Sequence, residues 1–305
     1  MRVVVGLGGN ALLRRHEPHS REAQRRNMAI AGEALAGIAA RHDMIVTHGN
    51  GPQVGLLALQ SAAAGDGASL DVLGAETEGM IGYLLEQELM NQLPGREIAT
   101  LLTHVEVDST DPAFRRPSKP IGPMYDEDQA VELTRERGWV MAPDGDGYRR
   151  VVPSPRPRAI CQLRTIRRLA EQGVLLICAG GGGIPVVRGE GGKLSGADAV
   201  IDKDRTSGLL AASLEADALV LLTDVEGVYR DFGLPSQRLL SVTTPDELDG
   251  LGAARGSMGP KTAAAAAFVR QTGRVAAIGR LGRGLDVVEG RVGTRVVSGR
   301  EDGRA

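Results

Sequence analysis

Uninterrupted apolar runs alternate along the chain with longer stretches in which apolar residues recur at helical spacing. Val3 to Leu7, Met44 to Thr47, Ile98 to Leu102, Val174 to Cys178, Ala218 to Leu222, Val275 to Ile278 and Thr294 to Val297 read as strands. Continuous rather than alternating hydrophobicity predicts burial on both faces of a sheet. Between these runs, Ala23, Ile30, Ala34, Leu35 and Ile38 share one face of a helix over about 21–41, with Ser20 as its N-cap. Leu73, Thr77, Met80, Ile81, Leu84, Leu85 and Leu89 mark a second, long amphipathic helix. Further helices are expected over about 160–172 and from Ser207 to Glu215. Thr244-Pro245-Asp246-Glu247 joins a capping residue, a proline at the first helical position and a glutamate at the third, a structural helix-start signal. An alanine-rich helix opens at Gly256-Ser257-Met258-Gly259-Pro260-Lys261 and ends at Gly273. Strands alternating with helices imply right-handed βαβ units and a mainly parallel open sheet, an α/β fold.

That rhythm breaks between about Val105 and Pro157. Prolines at 112, 117, 120, 123, 143, 153, 155 and 157 cannot continue helices or central strands. Val140 to Ala142 and Tyr148 to Val152, on either side of Pro143-Asp144-Gly145-Asp146-Gly147, suggest a hairpin. The segment reads as an inserted, protruding subdomain over about 106–157. Long insertions of this kind are usually lids or binding elements, and Lys119 lies inside this one.

Composition narrows the function classes. The 305 residues can bury a large core, and 36 basic against 38 acidic side chains leave no general attraction to nucleic acid or membrane. Any anion site must therefore be local. The apolar run at the N-terminus is too short for a secretory signal, no segment reaches membrane-spanning length, and Cys161 and Cys178 lack metal-ligand spacing. A soluble, cytoplasmic protein is expected. Cys178, ending an apolar strand, is expected in the core.

Glycines cluster where the strands end: Gly8-Gly9 after the first, Gly49-Asn50-Gly51 after the second, and Gly180 to Gly183 after the strand at 174–178. Ligands of open α/β sheets bind at the carboxyl ends of strands, and residues without Cβ let backbone amides approach an anion. Gly6-Leu7-Gly8-Gly9-Asn10-Ala11 fits a dinucleotide fingerprint, but His48 stands where the ribose-binding acid should end the second strand. A Walker A loop is absent too, because Gly192-Lys193-Leu194-Ser195 lacks the spacing and Pro260 displaces the glycine before Lys261 and Thr262.

Lys203 sits between Asp202 and Asp204 at a helix start, and Lys261 lies in a first helical turn, where it opposes the helix dipole unless an anion is bound. Either lysine alone also fits a solvated surface position. Together with Lys119, they suggest phosphoryl transfer, which depends on positioned cations and alignment more than on covalent help. Asp204 could hold the ammonium groups in position. His48 reads as a packed or capping residue more readily than a ligand. Glu76, Glu78, Glu86 and Glu88 are expected on a solvated or subunit-contact face of the long helix.

These segments resemble the carbamate kinases, within the wider amino-acid kinase superfamily, over nearly the whole chain. The similarity is carried by Leu7 to Leu12, Thr47 to Gly55, Gly79-Met80-Ile81-Gly82-Tyr83, and Val107-Asp108 with Asp111-Pro112-Ala113-Phe114. It continues through Pro117-Ser118-Lys119-Pro120-Ile121-Gly122-Pro123, Ala179 to Val186, Val200 to Asp204, Thr223-Asp224-Val225 and Gly256 to Lys261. The Lys119 motif and Ile201-Asp202-Lys203-Asp204 are the most specific.

The resemblance implies a three-layer αβα sandwich. An N-terminal lobe, 1–205, would hold the phosphoryl acceptor, and a C-terminal lobe, 206–305, the nucleotide, with a homodimer as the assembly. It implies ATP + carbamate giving ADP + carbamoyl phosphate, run backwards to make ATP in arginine fermentation. Lys203 and Lys261 would clamp the transferred phosphoryl group, Asp204 would orient them, and the Gly8 and Gly9 amides would stabilise its charge. Asn10, Gly49, Asn50, Gly51, Lys119, Gly181 and Gly182 would face carbamate or carbamoyl phosphate. Thr223, Asp224, Val225, Val228, Tyr229 and Met258, with Lys203 and Lys261, would line the nucleotide site. Mg²⁺ would be carried by the nucleotide phosphates, with Asp204 nearby. Many superfamily relatives place a lysine in the first strand, where this chain has Leu7; the lysine before the aspartate substitutes for it in carbamate kinases. Ser118 stands where threonine is usual, and Glu76 and Glu78 make the stretch before Gly79 unusually acidic. Alternatives left open are a related kinase of another small acid or phosphate ester, and a nucleotide-binding sensor without turnover.

Overall fold

The computed structural model describes residues 1–9, 20–65, 67–251 and 258–299. Its strands, in chain order, are β1 (Arg2–Leu7), β2 (Asp43–His48), β3 (Ile98–Leu101), β4 (His104–Val107), β5 (Lys119–Tyr125), β6 (Met141–Asp144), β7 (Gly147–Val152), β8 (Pro157–Ile160), β9 (Leu175–Cys178), β10 (Ile184–Arg188), β11 (Leu194–Gly196), β12 (Ala218–Thr223), β13 (Tyr229–Arg230), β14 (Arg238–Leu239), β15 (Val242–Thr243), β16 (Val275–Arg280) and β17 (Thr294–Val296). The helices are α1 (Arg21–Ala39), α2 (Gly51–Ala64), α3 (Leu70–Gln92), α4 (Glu127–Arg137), α5 (Leu163–Glu171), α6 (Lys203–Ser213), α7 (Pro245–Gly250), α8 (Met258–Thr272) and α9 (Gly284–Val288).

An eight-stranded sheet of order β15-β17-β16-β12-β1-β2-β9-β3 forms the middle layer. All its neighbours run parallel except β16 and β17. Successive residues of a strand point to opposite faces, and both faces here are apolar. Val3, Val5, Leu7, Val46, Ile177 and Val220 meet α1, α3 and α9 through Leu35, Ile38, Ile81, Leu85 and Val287. Val4, Ile45, Leu176, Leu219 and Leu221 meet α5, α6, α7 and α8 through Ile166, Leu210, Leu248, Ala265 and Phe268. Each large aliphatic side chain buried this way contributes about 1.5–3 kcal/mol, and the product is the expected αβα sandwich. Cys178 is buried in it, as its strand position predicts, whereas Cys161 is exposed.

Several helix ends follow from local chemistry. Ser20 caps α1, its hydroxyl accepting from the Ala23 amide at 3.1 Å. Thr244 and Glu247 form the reciprocal capping box of α7. Helix α6 begins at Lys203 rather than at Ser207, because the buried Asp202 side chain caps it. Three helices were not expected. Helix α2 follows Asn50 directly with Pro52 in its first turn, α4 opens on a capping box of Asp126 and Gln129, and the short α9 lies between β16 and β17.

A second sheet, β11-β10-β4-β8, lies beside the carboxyl end of the main one, and β5-β7-β6 is an antiparallel sheet built from the proline-rich segment. The hairpin expected there is β6–β7. Strand β5 lies across α2: a Cβ on Gly55 would fall 2.0 Å from the Gly122 backbone. A small core of Val54, Ala58, Leu70, Leu73, Ile121, Val152 and Val200 ties this sheet to α2, α3 and the segment preceding α6. That core places Lys119, at the start of β5, over the N-terminus of α6.

Candidate functional site

The carboxyl ends of β1, β2, β9 and β12 converge on the N-terminus of α6. The Gly8 amide donates to the Leu222 carbonyl at 2.9 Å, and the Gly49 amide to that of Leu7 at 3.0 Å. A Cβ on Gly49 would lie 2.8 Å from the Gly9 nitrogen. Glycine is thus required where these two turns touch. Gly51 opens α2 and Thr223 ends β12, with its backbone close to Gly8. The loop after β9 is wedged between neighbours. Gly181 packs on the Asn50 side chain and Gly182 on the Ile201 carbonyl, and the Thr206 hydroxyl donates to the Gly182 carbonyl at 2.9 Å.

Against these loops stands a buried cluster of charges. Asp204 accepts from the Lys203 ammonium through one carboxylate oxygen and from that of Lys261, at 3.3 Å, through the other. All three are almost wholly buried. Lys119 reaches in from β5 to pair with Asp202, whose other oxygen caps α6 by accepting from the Asp204 and Arg205 amides at 3.0 and 3.3 Å.

Among the described residues, three ammonium groups therefore surround two carboxylates beside the glycine turns in a water-poor site. Burial pushes the Lys203 ammonium down to about 8, and Asp204 limits the fall. Burial also opposes ionisation of Asp202, but the Lys119 charge and hydrogen bond hold its carboxyl far below the usual carboxylate range. Concentrated cations, helix N-termini and backbone amides of this kind favour a multiply charged anion such as a phosphoryl group.

The nucleotide-side residues predicted from the sequence share this edge of the sheet but are joined less tightly. The Thr223 hydroxyl donates to the exposed Asp224 at 3.0 Å, and Val225 follows in the same loop. Val228 is buried, its amide donating to the Thr294 hydroxyl at 2.8 Å, and Met258 packs on the core that contains it. Tyr229 opens β13, its ring 6.0 Å from that of Phe232. Among the described residues no hydrogen bond or ion pair links Asp224, Val225 or Tyr229 to the lysine cluster. Asn10 lies outside the described residues.

Two positions require correction or addition. Glu78, expected on a solvated or subunit-contact helix face, is 1 % exposed within the single chain. Its carboxylate accepts from the Gly180 amide at 2.8 Å and the Thr103 amide at 3.2 Å, and burial pushes its pKa up to about 8. The sequence signal was missed because the other faces of α3 meet partners far along the chain. Asp202 read only as a flank of Lys203, yet it both caps α6 and receives Lys119. Its place one residue before Lys203 and directly ahead of a helix was the available signal.

His48 is packed, as expected: Nδ1 donates to its neighbour's carbonyl at 3.3 Å, Nε2 is buried without a partner, and burial pulls its pKa down to about 4. Among the described residues no group of three His, Cys, Asp or Glu side chains is arranged to hold a metal.

The family model described as "Amino acid kinase family" matches residues 1–279. The chain is 53% identical over 299 residues to a carbamate kinase of Haemophilus influenzae, covering 97% of this chain and 96% of that one. It is also 53% identical over 307 residues to a carbamate kinase of Rhizobium meliloti, covering 99% and 95%. Among solved structures, carbamate kinase from Giardia lamblia bound to citric acid superposes with a TM-score of 0.92 at 39% identity, covering 97% of this chain and 98% of that one. The same enzyme bound to AMP-PNP gives 0.87, with the same identity and coverage. The convergence of glycine turns on a buried lysine–aspartate cluster thus stands in a chain that belongs to the amino acid kinase family, among its carbamate kinases.

Proposed function

We propose that this site transfers a phosphoryl group reversibly, ATP + carbamate giving ADP + carbamoyl phosphate. The observation that carries the reading is Asp204 holding Lys203 and Lys261 together in a buried site against the glycine turns. In the forward direction a carbamate oxygen attacks the γ-phosphorus, that bond forms as the bond to the β–γ bridging oxygen breaks, and the electron pair leaves with ADP. Lys203 and Lys261 neutralise charge on the moving group, and Asp204 keeps the two cations from repelling each other apart. The Gly9 amide faces the same group; the Gly8 amide is taken by the Leu222 carbonyl, so Gly8 serves by letting the backbone approach rather than as a donor. Asn50, Gly49, Gly51, Gly181, Gly182 and Lys119, with Asn10, form the acceptor side. Thr223, Asp224, Val225, Val228, Tyr229 and Met258 form the nucleotide side. The chain would divide functionally at about 205, with the insertion over about 106–157 covering the acceptor.

Mg²⁺ fits the donor set as a passenger of the nucleotide. Both Asp204 oxygens already accept from ammonium groups, so phosphate oxygens would hold the ion, and it would supply further charge neutralisation there. We further assign a cytoplasmic homodimer that makes ATP from carbamoyl phosphate in arginine breakdown; membership among the carbamate kinases supports this assignment.

The test is ATP formation from carbamoyl phosphate and MgADP by the wild type and by Lys203→Ala and Lys261→Ala. Turnover by the wild type and a loss of at least about 100-fold in each variant are expected, the scale for removing one group that stabilises developing charge. Near wild-type turnover in both variants would refute the clamp. Nucleotide binding without wild-type turnover would mark a sensor, and preference for acetyl phosphate would mark a kinase of another acid.

A further inference from the structure

We propose that Glu78 is a positioning residue: it sets the shape of the 179–183 loop and so tunes affinity for the phosphoryl acceptor. This rests on the acceptor-side assignment above. The loop is built from uncommon backbone. Ala179 has φ 51°, a left-handed conformation rare for a residue with a side chain, and Gly181, Gly182 and Gly183 follow at 67°, 98° and 85°. Such a run persists only where its surroundings over-determine it.

Helix α3 supplies that constraint through two adjacent residues. Thr77 accepts from the Asn50 amide group at 2.8 Å, fixing the side chain on which Gly181 packs. Glu78 accepts from the Gly180 amide through one oxygen and from the Thr103 amide through the other. Thr103 completes the frame, its hydroxyl accepting from the Ala179 amide at 2.9 Å. Two backbone donors thus converge on one buried carboxyl group that has no ion-pair partner among the described residues. A carboxyl group satisfies both donors in either protonation state, because both oxygens accept and the proton it carries below about pH 8 can turn away from the amides. A side-chain amide of the same size satisfies one and turns its own NH₂ toward the other.

Gly180 also has no room for a side chain, since a Cβ there would lie 2.3 Å from His48 Nε2 and 2.9 Å from Glu78 Cγ. The titratable groups around Glu78 are His48 on β2 and Cys178 on β9, with Lys203 on α6 beyond His48. None of these supplies an alternative anchor for the loop amides.

The experiment compares wild type, Glu78→Gln and Thr103→Val by steady-state kinetics in the ATP-forming direction and by amide hydrogen exchange over 179–183. In both variants KM for carbamoyl phosphate should rise about tenfold while KM for MgADP stays within about twofold, the split expected when only acceptor binding is weakened. Exchange in the loop should quicken about tenfold, because its open states become more populated. A residue that merely supports the fold would move both KM values together or lower only the melting temperature, and either result would overturn the proposal. Loop exchange is read on the free protein. Absence of wild-type turnover would therefore count against the acceptor assignment, whereas unchanged exchange in both variants would count against the role of Glu78.

Discussion

Replacing Asp204 by Asn keeps the shape of the cluster and removes the charge that two ammonium groups share. At 3.3 Å and an effective dielectric constant near 20, the Lys261–Asp204 attraction alone is on the order of 5 kcal/mol. Lys203 already has its pKa lowered to about 8 by burial, with Asp204 as the main counterweight. Each further 1.4 kcal/mol lowers that pKa by about one unit, so losing even part of the counterweight leaves Lys203 neutral at pH 7.5. The variant then lacks a cation on the moving group, and kcat should fall about 100- to 1000-fold, the range seen when one preorganised charge stabiliser is lost.

The pH dependence is diagnostic as well. In the wild type, kcat/KM should decline as pH rises through about 8, where Lys203 loses its proton in the free enzyme. In Asp204→Asn that decline should move to lower pH by about one unit or more. Initial rates of ATP formation from carbamoyl phosphate and MgADP between pH 5.5 and 9 would measure both effects. A kcat within about tenfold of wild type, or an alkaline limb at the same pH, would refute the reasoning.

Two further outcomes follow from neighbouring groups. The raised pKa of Glu78 means that its stabilising contribution is complete below about 4.5 and is lost as pH rises to about 8. The lowered pKa of His48 works oppositely, giving stability above 6.5 that is lost as pH falls through about 4. Denaturation midpoints of Glu78→Gln should therefore lack a decline that the wild type shows between these limits, at most about 1.4 kcal/mol per pH unit; parallel profiles would contradict the assignment. Lys119→Ala removes the partner that β5 offers to Asp202. KM for carbamoyl phosphate should rise at least about tenfold and the melting temperature should fall as well, because the buried Asp202 carboxylate loses its cation; an unchanged KM would place Lys119 outside the acceptor site.

The parts of the fold that were readable in the sequence are those governed by local rules. Apolar runs such as Val3 to Leu7 located the central strands, and Thr244 to Glu247 announced α7. The lysines were readable because charged residues next to glycine and proline turns are out of place without an anion, and their motifs resemble those of a family. Long-range pairing was much less visible. Strands β4, β8, β10 and β11 are only a few residues long, and β4 finds β8 and β10 far along the chain. Helix α4 was obscured by the prolines around it although Asp126 and Gln129 spell a capping box. The burial of Glu78 depends on the turn at Thr103 and the loop at Gly180 arriving on one face of α3, which helical periodicity alone does not reveal.

A crystal structure with MgADP and a planar fluoride mimic of the phosphoryl group tests the central claim most directly. The account predicts that the mimic lies within hydrogen-bonding distance of the Lys203 and Lys261 ammonium groups and of the Gly9 amide. A mimic bound away from both lysines, for instance in the surface cavity of about 420 Å³ that Arg2, Arg41, His42 and Arg96 line at the opposite end of the strands, would contradict it.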